Sequence, residues 1–405
     1  MERKALEGIK ILDFTWVAAG PLTTIPFAKY GATVLKVESM KKPDGVRATP
    51  PFLKSKTGGP NRSLNFSNDN ANKYSMCLNL KSEEGREIAK ELVKWADVVA
   101  ENMRPGAMDR MGLGYDVLKE INPGIIMFRS SMNGQTGPES TLAATGTELQ
   151  GYSGFTNLTG FPDKPPVLPY GAYTDLIVPS LGVGMICAAL AYRDKTGKGQ
   201  MLDLSQNEAA LQYLTPAFLD YSVNNVVETR NGNKCDYACP HGVYQCAGDD
   251  RWVTICVFNE DEWKSLVNVM GDPAWASDPK FATLVDRKHN EDELNELITE
   301  WTKTKTNEDI MTELQAAGVD SGCVWTAADI FTEPQMVERG YLTKLEIDDD
   351  VFMSHQGLSY QMSKTPYATT KVGPSIGEDT DYVVQNILKM DDEEFVELYA
   401  KGVFD

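Results

Sequence analysis

Histidine is scarce in this chain: 405 residues carry three, His241, His289 and His355. His289 and His355 sit among polar neighbours and are expected at the surface. Cysteine is sparse too; seven over this length, an odd number, do not make a disulfide framework. Cys235, Cys239, His241 and Cys246 crowd together, but their spacing matches no standard zinc site, so no metal is expected. Positive charge is in deficit. Lys+Arg 39 against Asp+Glu 58 leaves −19, a surface that repels nucleic acid and anionic membranes. The longest apolar run, Leu176–Tyr192, is broken by Pro179, Ser180, Gly182 and Gly184, and reads as a buried helix rather than a membrane span. The opening Met-Glu-Arg-Lys-Ala-Leu-Glu lacks the apolar core of a leader peptide. A soluble cytoplasmic protein with reduced thiols is the expectation. Absent as well are G-x-x-x-x-G-K-[ST], a G-x-G-x-x-G after the first strand, and G-x-S-x-G, which removes P-loop nucleotidases and nucleophile-elbow hydrolases.

What is present is a rhythm. Ile9–Phe14 and Thr33–Val37 read as strands, separated by a turn at Gly20-Pro21 and a helical stretch ending at Tyr30. Ser82–Trp95 places Ile88, Leu92, Val93 and Trp95 at helical spacing, and Asp97–Ala100 is again a strand. Tyr115–Ile121 and Gly124–Phe128 repeat the alternation. Strands separated by helices predict parallel βαβ units, hence a doubly wound α/β sheet. The rhythm changes after a long helical stretch, Gln206–Ser222. Val243–Cys246 and Trp252–Val257 form a hairpin signal, followed by helices over Glu260–Met270, Glu291–Trp301 and Asn307–Ala317. The expected division is a large α/β domain over 1–205, a linker over 206–227 and a small α+β domain over 228–330. Residues 331–405 are read as a linker and a return to the large domain.

Among the carboxylates, Asp175 stands directly before the apolar run. A helix-start carboxylate is ordinarily a cap worth about 1 kcal/mol. Here Gly171 and Ala172 before it, and Ser180, Gly182 and Gly184 after it, leave room for a bulky ligand. From the residues alone both roles stand.

Three ordered blocks then point further. IKILDFTWVAAGPLTTIPFAKYGATVLKVE, LNLKSEEGREIAKELVKWADVVAENMRPGAMDRMGLGYDVLKEINP, and the series Gln150, Ser153-Gly154, Thr159-Gly160, Tyr173-Thr174-Asp175, Thr196-Gly197-Lys198-Gly199-Gln200 resemble the class III CoA-transferases. That is the family of formyl-CoA, carnitine and benzylsuccinate CoA-transferases. The resemblance covers about the first 205 residues densely and continues through GVYQCAGDDRWVTI. It implies transfer of CoA between two carboxylic acids, with coenzyme A thioesters as substrates and no permanently bound cofactor. Asp175 falls at the nucleophile's position, forming an aspartyl-CoA thioester, and Gln150 is a candidate for stabilising the oxyanion.

Residue by residue, the resemblance places CoA against Val17 and Ala18, then Leu78, Asn79, Leu80 and Lys81, then Asn102, Met103, Arg104, Arg110 and Met111. Ser39 stands where some relatives place an arginine, leaving Lys41 or Lys42 to compensate. Tyr237 and His241 are read as substrate contacts, and Tyr152, Phe155, Tyr170 and Tyr173 as suited to an aromatic or apolar acceptor. Cys235–His241 replaces the glycine run of formyl-CoA transferases, which argues against formyl or oxalyl specificity. Succinyl-CoA is the expected donor, as in the benzylsuccinate branch. The family's interlocked dimer implies a homodimer, or a pairing with a homologous chain. Two alternatives remain: a non-catalytic partner subunit or CoA-binding module, which has no need of Asp175, and an α-methylacyl-CoA racemase. The racemase pairs a His-Asp dipeptide with the later aspartate. This chain has Thr145-Gly146 there and so lacks the second base.

Overall fold

The computed structural model describes residues 4–54, 58–143 and 145–405; residues 1–3, part of the stretch read above for a leader, lie outside them. The chain divides into two compact units. The first comprises Met1–Thr156, Leu168–Val227 and Val337–Asp405, the second Asn157–Val167 and Glu228–Met336.

In the first unit six strands alternate with helices: β1 (Lys10–Asp13), β2 (Thr33–Glu38), β3 (Tyr74–Cys77), β4 (Val98–Glu101), β5 (Ile126–Ser131) and β6 (Gln200–Ser205). They pair in parallel in the order β3-β2-β1-β4-β5-β6. Strands buried on both faces alternate their side chains between two cores. Leu12, Leu35, Met76, Val99 and Met127 point to one, Ile11, Val34, Val98, Ile126 and Phe128 to the other. The doubly wound sheet expected from the rhythm is thus present.

Helices of this unit include α1 (Ala19–Lys29), α2 (Glu83–Trp95), α3 (Gly146–Tyr152), α4 (Tyr173–Ile177) and α5 (Pro179–Thr196). A sixth, α6 (Thr215–Asn224), follows them. The amphipathic spacing of α2 buries Ile88, Ala89, Leu92 and Val93, and the Ser82 hydroxyl caps it by accepting from Gly85 N at 3.0 Å. Gly20-Pro21 is not a turn: both residues lie in the first turn of α1, where a proline's missing N–H has no intrahelical partner to lose. The stretch Gln206–Ser222 is likewise interrupted. A 3₁₀ turn over Gln212–Leu214 precedes α6, which restarts with Pro216 in its first turn.

The apolar run forms α5, whose inner residues Gly182, Ile186, Ala189 and Leu190 are buried on the sheet. Gly182 lets α5 sit close to α1, since a Cβ there would fall 2.8 Å from Thr23 Cγ2 and 2.9 Å from Phe128 Cζ. By length and composition alone Tyr173–Thr196 could cross a membrane, but 44% of its apolar window is buried inside the fold.

The second unit carries an antiparallel sheet of β7 (His241–Gln245), β8 (Trp252–Cys256) and β9 (Asp320–Cys323). Its core gathers Val253, Ile255, Trp263, Leu266, Leu294, Ile298, Ile310 and Leu314. Asn157–Val167, read from sequence as part of the large domain, groups here: Gly232 N donates to Gly160 O at 2.7 Å and Arg230 Nε to Lys164 O at 2.8 Å.

Val337–Asp405 returns to the first unit with a hairpin, β10 (Leu342–Asp348) and β11 (Val351–Gln356). Lys29 Nζ donates to Gln356 O at 2.5 Å, Ser75 N to Asp379 Oδ2 at 2.8 Å, and Asn79 N to Val403 O at 2.8 Å. His355 is not a surface residue. The register of β11 turns it inward, where it is fully buried with Nε2 3.2 Å from Ser67 Oγ. All seven cysteines are free thiols.

Candidate active site

In an open parallel sheet, ligands bind beyond the carboxyl ends of the strands, where neighbouring connections diverge to opposite faces. Between β1 and β4 the order reverses, and a cavity of about 510 Å³ lies there. The loops after four strands line it: Val17, Ala18 and Ala19 after β1; Asn102, Met103, Arg104 and Pro105 after β4; Ser131 and Met132 after β5; Gln206 after β6. Its remaining wall comes from Ser140, Leu142, Ala143, the start of α3 and Asp175.

The two central loops are tied together by one side chain. Asn102 Oδ1 accepts from Trp16 N at 2.7 Å and Asn102 Nδ2 donates to Trp16 O at 2.8 Å. A buried ion pair supports the second loop: Glu101 Oε2 accepts from Met103 N at 2.7 Å while Oε1 accepts from Arg129 Nε at 2.8 Å.

Asp175 is the third residue of α4 and 8% exposed. Its carboxylate accepts no hydrogen bond from the described residues, and burial pushes it up to about 6. Only a residue without a side chain fits beside it. A Cβ on Gly146 would lie 2.6 Å from Asp175 Cγ and 2.7 Å from the Ala172 Cβ. Thr174 Oγ1 donates to Gly146 O at 3.2 Å, which locks α4 to the start of α3. Thr145 and Glu148 close that start reciprocally as a capping box, with Thr145 N donating to Glu148 Oε2 at 2.9 Å. An ionisable, desolvated carboxylate with free lone pairs, on the wall of a cavity, is a nucleophile's setting.

The cavity thus brings together Val17, Ala18, Asn102, Met103, Arg104 and Asp175 from the sequence-derived set. Gln150, expected to face an oxyanion, does not line it. That side chain is fully buried and its Nε2 donates to Gly171 O at 2.7 Å, which steadies the approach to α4. Leu78, Asn79, Leu80 and Lys81 follow β3, away from the lining; Leu78 is buried, and Asn79 Nδ2 donates to Gly402 O at 3.3 Å. Arg110 and Met111 end the short helix after Met103–Pro105 and do not reach the cavity wall either. Ser39 and Lys41 both engage Asp405, at 3.1 and 3.2 Å, whereas Lys42 Nζ sits 5.3 Å from the centre of the Trp16 ring.

Tyr237 and His241 belong to the second unit. Tyr237 stacks on Phe258 at 6.3 Å, and His241 Nδ1 hydrogen-bonds the Asn233 carbonyl at 2.6 Å. Tyr152, Phe155, Tyr170 and Tyr173 are absent from the lining as well, and no histidine appears in it. Among the described residues no group of three or more His, Cys, Asp or Glu stands together as metal ligands. Sequence reasoning missed Ser131, Met132 and Gln206. Their signal was position, since each ends or follows a strand of the same sheet.

A family model, CoA-transferase family III, matches residues 6–380. The chain is 31% identical over 405 residues to the succinyl-CoA–L-malate CoA-transferase beta subunit of Chloroflexus aurantiacus, covering 98% of each. It is 36% identical over 341 residues to the acetyl-CoA:oxalate CoA-transferase of Acetobacter aceti, covering 84% of this chain and 85% of that one. The crystal structure of a CaiB/BaiF family protein from Brucella suis superposes with a TM-score of 0.87 at 30% identity, covering 95% of this chain and all of the other. The cavity at the sheet's switch point, with its buried carboxylate, is therefore that of an enzyme of CoA-transferase family III, to which this chain belongs.

Proposed function

We propose that this enzyme moves coenzyme A from an acyl-CoA donor to a free carboxylic acid through covalent intermediates on Asp175. The carrying observation is the buried carboxylate on the cavity wall, which accepts no hydrogen bond from the described residues. One oxygen of Asp175 attacks the donor's thioester carbonyl; the C–S bond breaks, leaving an acyl-aspartyl anhydride and the CoA thiolate. The thiolate attacks the aspartyl carbonyl, the anhydride C–O bond breaks, and the donor acid departs as a carboxylate. The acceptor carboxylate then attacks the aspartyl-CoA thioester and expels the thiolate, which takes the acceptor's acyl carbon from the second anhydride. Asp175 returns ionised, and no proton is gained or lost overall.

Among the described residues Arg104 is the one cation in the lining and makes no ion pair, so it is free for CoA phosphate. The first turn of α1 carries no acidic residue and its cap makes no side-chain hydrogen bond, leaving backbone N–H groups for phosphate or oxyanion. Succinyl-CoA is the proposed donor, in keeping with the malate relative's name. Met132, Leu142 and Ala143 suit the tail of an apolar acid such as a benzylsuccinate, and the malate relative supports a small hydroxy acid. A panel of donors crossed with such acids, followed by hydroxylamine or borohydride and mass spectrometry, should show modification at Asp175. An unmodified residue with every donor removes the mechanism.

We also propose that two chains interlock, either two copies or this chain with a homologue, as the beta-subunit relative supports. No residue of α6 is buried, and Phe218, Leu219, Tyr221 and Val223 stand exposed along it. Apolar exposure on that scale fits a surface covered by a second chain. Light scattering should give the mass of a dimer at micromolar concentration; a monomer ends the proposal.

A further inference from the structure

Thr15–Val17, between β1 and α1, belongs to no helix or strand, yet its backbone polar atoms are taken one after another by side chains. Thr15 N donates to Asp13 Oδ1 at 2.9 Å and Thr15 O accepts from Lys36 Nζ at 2.7 Å. Asn102 holds both polar atoms of Trp16, and Val17 N donates to Asp44 Oδ1 at 3.0 Å. Val17 itself has φ +64°, a left-handed conformation that a β-branched residue keeps only when its surroundings impose it.

Lys36, on β2, is fully buried and does not line the cavity. Its ammonium reaches two places: Thr15 O, and Asp44 Oδ2 at 2.9 Å. It therefore fixes one end of the tripeptide directly and the other through Asp44. Asp44 is held in turn, its backbone N donating to Glu38 Oε1 at 3.1 Å and its Oδ1 also accepting from Val46 N at 3.1 Å. Burial pulls the lysine's pKa down, but Asp44, Asp13 and Glu38 outweigh it and keep the ammonium charged.

From this geometry we infer that Lys36 is a positioning residue for CoA transfer: by bridging Thr15 O and the Asp44 carboxylate it holds Val17 left-handed and sets where Val17 and Ala18 meet the coenzyme. The inference rests on the transferase reading of the cavity.

The test is Lys36→Met, alone and in a Val17→Gly background, read by calorimetric binding of free coenzyme A and by kcat and KM for succinyl-CoA. Glycine takes a left-handed φ without strain. A misplaced loop loses coenzyme contacts in the ground state and the transition state alike, a loss read in binding and KM rather than in kcat. Lys36→Met should therefore weaken CoA binding and raise KM by about a hundredfold, with kcat at saturation changed far less. In the Val17→Gly background the same substitution should cost less than about tenfold. A purely structural lysine would give no such relief. Folded Lys36→Met with wild-type affinity and KM overturns the assignment, as does an undiminished loss in the glycine background. If Lys36→Met does not fold, Lys36→Met with Asp44→Asn leaves no unpaired buried charge and carries the same comparison; loss of fold there too makes Lys36 a folding residue and overturns it. A wild-type protein that neither binds CoA nor transfers it removes the underlying reading, and is distinguished from these outcomes because it fails before any substitution.

Discussion

Asp175→Asn should lose CoA transfer by about 10⁴-fold or more, the scale on which removing a covalent nucleophile acts, and should at the same time stabilise the protein. The two effects share one cause. Burial raises the carboxyl from 3.8 to about 6, so the folded state holds the ionised form less well than the unfolded chain does. That destabilisation is fully present above pH 6, shrinks as pH falls towards 4 and vanishes below the unfolded value. Roughly two pKa units correspond to about 3 kcal/mol. At pH 8 the Asn variant should therefore unfold at higher denaturant, and the gain should be gone by pH 3.5 if the protein is still folded there. In the wild type, kcat/KM for the acyl-CoA donor should rise with pH through about 6 and then level, because only the ionised carboxylate attacks. Chemical denaturation across pH and a pH–rate profile check both. An Asn variant with unchanged transfer refutes the nucleophile, and one no more stable at pH 8 refutes the burial argument.

Gly146→Ala is the second large effect, and its sign decides between two forces. Within a helix, alanine is favoured over glycine by about 1 kcal/mol, so an unopposed substitution would stabilise α3. Here the new methyl would fall 2.6 Å from Asp175 Cγ and 2.7 Å from the Ala172 Cβ, and the carboxylate must move. Overpacking of this kind costs about 1–3 kcal/mol, and displacing a reacting group by about an ångström costs about a hundredfold in rate. Loss of transfer with unchanged or lowered stability is expected from steady-state kinetics and thermal melts. A more stable, fully active Gly146→Ala would show that Asp175 needs no such space.

Four of the six parallel strands were legible because they and the helices between them carry their own periodicities, whereas β3 and β6 went unread. Ser82 before Glu83-Glu84 announced α2, and the alternation of strand-like and helical runs announced parallel pairing, though not the strand order. Asp175 is singled out by the resemblance of its neighbourhood, not by local chemistry, since a carboxylate at a helix start looks the same whether it caps or attacks. What stayed hidden depends on long-range approach. Nothing local says that Lys36 reaches across to Thr15, that Gly146 abuts Asp175, or that Gln150 turns away to Gly171. His355 misled because its polar neighbours in sequence alternate outward on β11 while it points in. Leu78–Lys81, Arg110 and Met111 are set against CoA by the resemblance alone, whereas the cavity wall is built by the ends of β1, β4, β5 and β6.

The crossings of the chain at 156/157, 167/168, 227/228 and 336/337 have a consequence for biosynthesis. The sheet-bearing unit begins with β1 but closes only when Val337–Asp405 arrives to bond Lys29, Ser75 and Asn79. During translation its early strands must wait, edge exposed, while the second unit is made whole ahead of them. A ribosome stalled once Met336 has emerged, with Val337–Asp405 still to come, therefore holds a nascent chain whose smaller unit is finished and whose sheet-bearing unit is not.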